Sequence, residues 1–196
     1  MNITFKSYGR DERIPVEKHV KNKKLIKYFN RETSAAIVSA GELLREYPVP
    51  HDIPFYYETG VMEHEDFGIE MIAKASIDEK GEYNQQCFIE KGIAAVHPLT
   101  QFKALYNMPL SFVSIEFGLK GDNAVIYSSA RGLLMQALHA PTDGEILLGC
   151  GKVRRDGRVD SAFTVLRKDD SDCLLLDHEG EAIDIFQTWA SRGAFR

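Results

Sequence analysis

The chain has 196 residues, of which 44% are hydrophobic and 27% are charged, and its formal net charge at pH 7 is −5. This composition is typical of a folded globular protein and excludes extensive disorder. The negative charge argues against general nucleic-acid binding, and no apolar run approaches the roughly 20 residues that a membrane-spanning helix needs. We therefore expect no nucleic acid or membrane partner, and the length favours a single domain over residues 1–196.

The N-terminal sequence lacks the basic and then apolar pattern of a secretion signal, so we expect a cytoplasmic protein. The three cysteines are Cys87, Cys150 and Cys173. They form no CxxC pair and no cluster with histidine that would indicate a metal site. Each lies beside apolar residues, which favours the role of a small buried hydrophobic side chain. We therefore expect neither a metal nor a cofactor.

The first half of the chain predicts two strands, each followed by a helix. Residues 1–7 alternate weakly and predict the first strand. Thr33 and Ser34 offer an N-cap for a helix that runs through about Tyr47. Residues 53–61 are rich in aromatic and β-branched side chains and predict the second strand. A helix over residues 67–77 follows, and the side chains predicted to face the core there are Phe67, Ile69, Ile72 and Ala73.

Basic residues dominate the segment between Lys6 and Arg31, which reads as irregular and exposed. A charge run of this kind is typical of a solvated face whose lysine stems cover apolar surface. The alternative is a docking patch for an acidic partner, steered by charge. The further basic residues of this segment are Arg10, Arg13, Lys18, Lys21, Lys23, Lys24 and Lys27.

The middle of the chain predicts a helix, a strand and a second helix. Asn107 is a plausible N-cap for a helix over residues 108–117, and Gly118 fits the left-handed position after its end. Residues 123–128 predict the third strand. The helix predicted over residues 130–140 is apolar on nearly every side, which is typical of burial in a large core and indicates a partner chain.

The last third predicts two more strands and a terminal helix. Residues 145–153 read as a strand buried on both faces. Residues 161–167 and 173–176 flank a polar turn and predict a hairpin, and residues 181–189 predict the terminal helix. The order of elements predicts an α/β protein in which a mixed, mostly parallel sheet carries helices on both faces.

Four motifs follow one another between His97 and Val153. They are Asn107-Met108, the run FGLKGDN over 117–123, the turn SSARG over 128–132, and the run LGCGKV over 148–153. In this order they resemble the N-terminal half of a β-ketoacyl synthase, the thiolase-fold condensing enzyme of fatty acid and polyketide synthesis. The family usually has Gly-Pro-Asn where this chain has Gly-Asp-Asn. The resemblance implies a single ketosynthase N-terminal-like domain, with a five-stranded βαβαβαββ half of three layers.

Active ketosynthases carry their nucleophilic cysteine at the turn between the third strand and the next helix. A helix N-terminus lowers the pKa of such a thiol. Counting back from Gly132, Ser129 takes this place, and a shift of one residue would put Ala130 there. Serine needs an adjacent base to act as a nucleophile, and the two histidines of the family's C-terminal half have no counterpart. The residues themselves favour an N-cap role for Ser128 and Ser129, so we expect no catalytic residue.

The superfamily contains chain length factors, which lack the cysteine and pair with an active ketosynthase. Family dimers join their third strands antiparallel across a two-fold axis. The resemblance therefore implies a partner interface formed by Ala124, Val125, Ile126, Tyr127 and Ser128. It also implies the end of an acyl tunnel at Leu105, Met108 and Phe112, although these three residues at helical spacing can equally be ordinary core residues. Typical chain length factors have two halves, so this chain looks like a shortened version.

Three functions are open at this point. The first is a non-catalytic chain length factor that forms a heterodimer with an active β-ketoacyl–acyl-carrier-protein synthase. Its pathway would be type II polyketide synthesis, with polyenes as one product class, or fatty acid-like biosynthesis. The second is a serine-dependent acyltransferase or hydrolase using Ser129 or Ser128. The third is an accessory protein that binds an acyl carrier protein through the basic segment.

Overall fold

The computed structural model describes residues 2–62, 68–168 and 178–191. The chain forms two compact units. The sheet unit comprises Met1–His64 and Tyr106–Arg196, and the helical unit comprises Glu65–Leu105. A single domain over residues 1–196 stays a prediction.

The sheet unit is built on a five-stranded sheet with the strand order β1-β5-β4-β2-β3. Its strands are β1 (Asn2–Tyr8), β2 (Phe55–Thr59), β3 (Asn123–Tyr127), β4 (Glu145–Val153) and β5 (Val159–Arg167). Strand β2 pairs in parallel with β3 and β4, whereas β5 pairs antiparallel with β4 and β1. Four strands therefore run in one direction and β5 runs against them, which confirms the predicted mixed sheet. The pairings are half parallel and half antiparallel, so the sheet is less parallel than predicted.

Helices cover both faces of this sheet. The covering helices, all of the sheet unit, are α1 (Arg31–Glu46), α5 (Met108–Phe117), α6 (Ala130–Leu138) and α7 (Ala182–Ser191), whereas α2 (Ile69–Ala75), α3 (Gln85–Cys87) and α4 (Pro98–Lys103) belong to the helical unit. Successive side chains of a strand point to opposite faces. Accordingly Tyr57 packs in the core with α1 and α5, and Tyr56 packs in the core with α6 and α7. The predicted three-layer α/β fold is confirmed.

Helix α1 begins earlier than predicted. It starts at Arg31, and its N-cap is Asn30, whose side chain accepts a 2.7 Å hydrogen bond from the backbone N–H of Thr33. The predicted cap at Thr33 and Ser34 is therefore wrong. Asparagine caps as well as serine does, and the earlier start places Glu32 in the first turn, where a negative charge is favoured.

Helix α5 has the predicted bounds, and its C-terminal prediction is confirmed. Gly118 follows it with φ of 70°, a conformation that costs glycine little, and its N–H donates to the carbonyl of Ser114. Asn107 is not a side-chain cap, because its backbone is already helical and its side chain makes no capping bond. Helix α6 is two residues shorter than predicted, because His139 already leaves the helical conformation.

The helical unit contains α2, α3 and α4, together with a π-helical turn (Phe88–Gly92) and a 3-10 helix (Ile93–Ala95). The inward face predicted for α2 is wrong at Ile69, which is 68% exposed, and at Ala73. Ile72, which was also predicted to face inward, is half-buried, and Ser76 directly after the helix is buried. A Cβ at Gly92 would lie only 2.5 Å from Ser76 Oγ, so this glycine permits the close approach. Phe67 lies outside the described residues.

The predicted hairpin is only partly within the described residues. Residues 161–167 belong to β5, which follows β4 through the turn at Gly157, whereas residues 173–176 lie outside the described ranges. Strand β4 is buried over its whole length after Glu145, as predicted. Cys150 is fully buried, Cys87 is half-buried, and Cys173 lies outside the described residues. Among the helices that the structure describes, none has the length and apolar character needed to cross a membrane.

Candidate functional site

The carboxyl ends of the parallel strands β2, β3 and β4 lie side by side at one end of the sheet. Ligands of α/β proteins commonly bind outside the carboxyl ends of such strands. Four polar residues meet at this end of the sheet and are called the strand-end cluster here. They are Glu58 near the end of β2, Ser128 directly after β3, Lys152 near the end of β4, and Glu181 directly before α7.

Ser128 occupies the strained position of this cluster. Its φ is +46°, and it is the one non-glycine residue with positive φ in the described part of the chain. Its backbone N–H donates a 2.8 Å hydrogen bond to the carbonyl of Thr59, and its Oγ donates one of 3.0 Å to Oε1 of Glu181. A strained residue between a strand and a helix is the geometry of a nucleophile elbow, and strain of this kind is often stored at functional sites.

Ser129 has a different role from its neighbour. It is the N-cap of α6, and its Oγ accepts a 3.0 Å hydrogen bond from the N–H of Gly132. The predicted N-cap role is therefore confirmed for Ser129 and wrong for Ser128, whose hydroxyl is directed to Glu181 instead. Of the two adjacent serines, Ser129 caps α6 and Ser128 contacts Glu181 of the cluster.

Glu181 is the hub of the cluster. Its Oε1 accepts hydrogen bonds from Ser128 Oγ and, at 2.7 Å, from the backbone N–H of Val61. Its Oε2 lies 2.5 Å from Nζ of Lys152. Both members of this ion pair are 8% exposed. An ion pair removed from water in this way is costly to break, because loss of one partner leaves a buried charge unpaired.

Glu58 is the buried carboxyl group beside this ion pair. It is 0% exposed, and neither carboxylate oxygen has a hydrogen-bond partner among the described residues. The N–H groups of Ser129 and Ala182 are near enough to favour its charged form, but neither satisfies hydrogen-bond geometry. Burial, and then the negative charge of Glu181, outweigh them and raise the pKa of Glu58 to about 8.

Sequence reasoning did not identify Glu58, Lys152 or Glu181. Lys152 and Glu181 are 29 positions apart, so no local spacing connects them. A signal was nevertheless present, since Glu58 and Lys152 are charged residues in strands that consist mostly of apolar and aromatic residues. A charged residue in a strand that is buried on both faces requires a partner nearby.

The predicted interface residues lie on an edge strand. Strand β3 pairs only with β2 within the described residues. Phe55 N–H donates to the carbonyl of Asp122, and Ser128 N–H donates to that of Thr59. Backbone groups alternate in direction along a strand, so Ala124 and Ile126 also face β2. Val125 and Tyr127 present their N–H and carbonyl groups to the open edge.

Aromatic side chains adjoin this edge. Tyr127 is 51% exposed, and its ring centroid lies 4.7 Å from that of Tyr106, which is 45% exposed. Ala124, Val125 and Ile126 are half-buried. The edge therefore combines unpaired backbone groups with exposed aromatic surface, a combination that favours strand addition by another chain.

The three residues predicted to end an acyl tunnel occupy different environments. Phe112 is 7% exposed and packs edge-on against Phe29, with ring centroids 4.6 Å apart. Met108 is half-buried against the same core. Leu105 belongs to the helical unit and is 47% exposed. Phe112 thus packs in the core, and a tunnel role for the three residues stays a prediction.

The basic segment forms local contacts at several of its charges. Lys6 pairs with Glu42 at 2.6 Å, Arg13 pairs with Glu17 at 3.0 Å, and Lys21 Nζ donates to the carbonyl of Glu116. Two 3-10 helices carry this segment, at Val16–Lys18 and Lys23–Tyr28. These contacts are those of a solvated, locally paired face.

In the part of the chain that the structure describes, no three or more His, Cys, Asp or Glu residues are grouped to hold a metal ion. No protein-family model matches the sequence, and no curated protein is significantly similar to it.

Proposed function

We propose that this protein is a non-catalytic relative of β-ketoacyl synthases, which binds an active synthase through the open edge of β3 and acts as its chain length factor. The pathway would be type II polyketide or fatty acid-like biosynthesis. The observation that carries this proposal is the open edge of β3, which lies at the sheet position where the family resemblance implies a partner.

The chemistry of the edge supports pairing. The outward N–H and carbonyl groups of Val125 and Tyr127 would bond to an antiparallel strand of the partner, and the partner would cover the Tyr106–Tyr127 aromatic pair. An edge strand left open is an aggregation hazard, which pairing removes.

The nucleophile position supports the absence of ketosynthase chemistry. Ser129, which replaces the family's cysteine by motif count, uses its side-chain oxygen to cap α6. A serine hydroxyl is not ionised near neutral pH and needs an adjacent base to act as a nucleophile. The side-chain hydrogen bonds of Ser128 and Ser129 join them to Glu181 and to the N–H of Gly132, and neither of these partners is a histidine.

The test is co-expression with the ketosynthase encoded beside its gene, followed by size-exclusion chromatography and analysis of product chain length. The informative variant is Val125→Pro, because proline removes an outward N–H without removing a bond to β2. We expect the wild type to co-elute with the synthase and the variant to elute alone while keeping its circular dichroism spectrum. Failure of the wild type to co-elute, or unchanged co-elution of the variant, would overturn the proposal.

A second candidate function is favoured by the strain at Ser128 and by its bond to the Glu181–Lys152 pair. In a serine acyltransferase or hydrolase, Ser128 Oγ would form an ester with the acyl group of a thioester. Its proton would pass to the Glu181 carboxylate and then to the departing thiolate. Labelling by an acyl-thioester probe that is lost in Ser128→Ala and kept in Ser129→Ala would establish this function in place of the first.

A further inference from the structure

We propose that Glu58 keeps a proton in the folded protein near neutral pH, and that its ionisation weakens the hydrogen bonds that Glu181 accepts from Val61 and Ser128 beyond the ends of β2 and β3. The strand-end cluster would then be a proton-sensitive switch at the turn between β3 and α6. This inference goes beyond the proposed function and does not depend on it.

The first argument is the environment of Glu58. Its carboxyl group is 0% exposed, and its two oxygens have no hydrogen-bond partner among the described residues. An ionised carboxylate in such a place costs more than a neutral carboxyl, because water is excluded and the nearby N–H groups of Ser129 and Ala182 do not offset the lost hydration.

The second argument is the charge of the cluster. Lys152 and Glu181 neutralise each other at 2.5 Å. With Glu58 protonated the buried cluster is neutral, whereas ionisation of Glu58 leaves one net negative charge beside a second carboxylate. Two carboxylates that share a buried site resist simultaneous ionisation.

The third argument is the mechanical role of Glu181. The same carboxylate holds Ser128 Oγ and Val61 N–H, which lie directly after β3 and shortly after β2. Repulsion from an ionised Glu58 acts on this carboxylate. Ionisation of Glu58 therefore affects the strained turn at Ser128 and the chain at Val61, shortly after β2.

Other charged and titratable groups around Glu58 do not cancel this effect. Lys152 on β4 favours the ionised form, as do the N–H groups of Ser129 and Ala182 at the starts of α6 and α7. Glu181 opposes it. On β4, opposite Glu58 in the strand register, the buried thiol of Cys150 has a pKa that is raised by burial and then by the charge of Glu58. The raised pKa of Glu58, about 8, is the net result.

The test is a nuclear magnetic resonance titration of the wild-type chain with ¹³C-labelled glutamate carboxyl groups. We expect the Glu58 carboxyl carbon to titrate several pH units above an ordinary glutamate, whose pKa is about 4.3. We also expect the amide resonances of Val61 and Ser128 to shift with the same midpoint. In Glu58→Gln these amide shifts should disappear.

The matched control is Glu116→Gln, which changes another buried glutamate. Glu116 lies on α5 and accepts a hydrogen bond from the backbone N–H of Lys21. This variant should keep the wild-type response at Val61 and Ser128. The switch is refuted if the wild-type Glu58 carboxyl titrates near the ordinary value. It is equally refuted if that carboxyl titrates high while both amides stay still. The wild-type titration decides the matter even where Glu58→Gln does not fold, and it needs no synthase partner.

Discussion

The hydroxyl of Ser128 donates a 3.0 Å hydrogen bond to Oε1 of Glu181, a residue 53 positions further along the chain. Because the same oxygen accepts the N–H of Val61, one carboxylate ties together the chain after β2, the turn after β3 and the start of α7. The ion pair with Lys152 fixes this carboxylate against β4. The strand-end cluster is therefore a structural junction as well as a candidate site.

Two substitutions at Ser128 distinguish the effect of its hydrogen bond to Glu181 from the effect of its backbone strain. Ser128→Ala and Ser128→Gly both lose the bond to Glu181, but only alanine keeps a Cβ in a backbone conformation with φ of +46°. We expect alanine to be less stable than glycine by about 1 kcal/mol. Urea unfolding of both variants measures the difference. Equal stability would show that the turn is not strained.

Ser129→Ala removes the N-cap of α6 and should lower the free energy of unfolding by about 1 kcal/mol. Ser129→Asn keeps a capping side chain and should lie within a few tenths of a kcal/mol of the wild type. Neither variant touches Glu181. An alanine variant as stable as the asparagine variant would contradict the capping role that the bond to Gly132 indicates.

Breaking the buried ion pair from either side should be costly. We expect Glu181→Gln or Lys152→Met alone to destabilise the fold by roughly 3–5 kcal/mol, because each breaks an ion pair whose two members are 8% exposed. The double variant should cost less than the sum of the two, since both single variants lose the same interaction. A double-mutant cycle in urea measures the coupling, and additive effects would argue against a direct interaction.

Proline at two adjacent positions of β3 tests the direction of its backbone groups. Val125→Pro removes an N–H that faces the open edge, so we expect a change in stability below about 1 kcal/mol. Ile126→Pro removes an N–H that faces β2 and should destabilise by about 3 kcal/mol or more. Thermal unfolding compares them. The reverse order would mean that the edge assignment is wrong.

Stability should depend on pH through Glu58. Its pKa rises from 4.5 to about 8 on folding, so the folded state binds this proton more tightly than the unfolded state. The free energy of unfolding should therefore fall as pH rises between these two values, by roughly 3–5 kcal/mol from this group. Glu58→Gln has no proton to lose, and its stability relative to wild type should increase over the same window. Parallel pH profiles of the two proteins would contradict this prediction.

The sequence alone determined the order of the five strands and of the larger helices along the chain, and the bounds of α5 and β4. The run over 145–153 is apolar enough to specify a strand buried on both faces, and β4 has these bounds. Gly118 marked the end of α5 because few other residues adopt its conformation cheaply. These features depend on neighbours in sequence, which is why periodicity and glycine reveal them. The same reasoning failed at the start of α1, where Asn30 and Thr33 are comparable caps and packing selects between them.

Only the tertiary structure decided what the turn after β3 does. The sequence shows two adjacent serines, and motif counting selected Ser129, but the fold uses Ser129 as a cap and directs Ser128 to Glu181. Glu58, Ser128 and Lys152 lie at the ends of three different strands, and Glu181 directly precedes α7. No spacing along the chain therefore indicates that the four residues meet. Burial then sets their chemistry, because the same carboxyl group holds its proton far more tightly beside a second carboxylate in the core than it does in water.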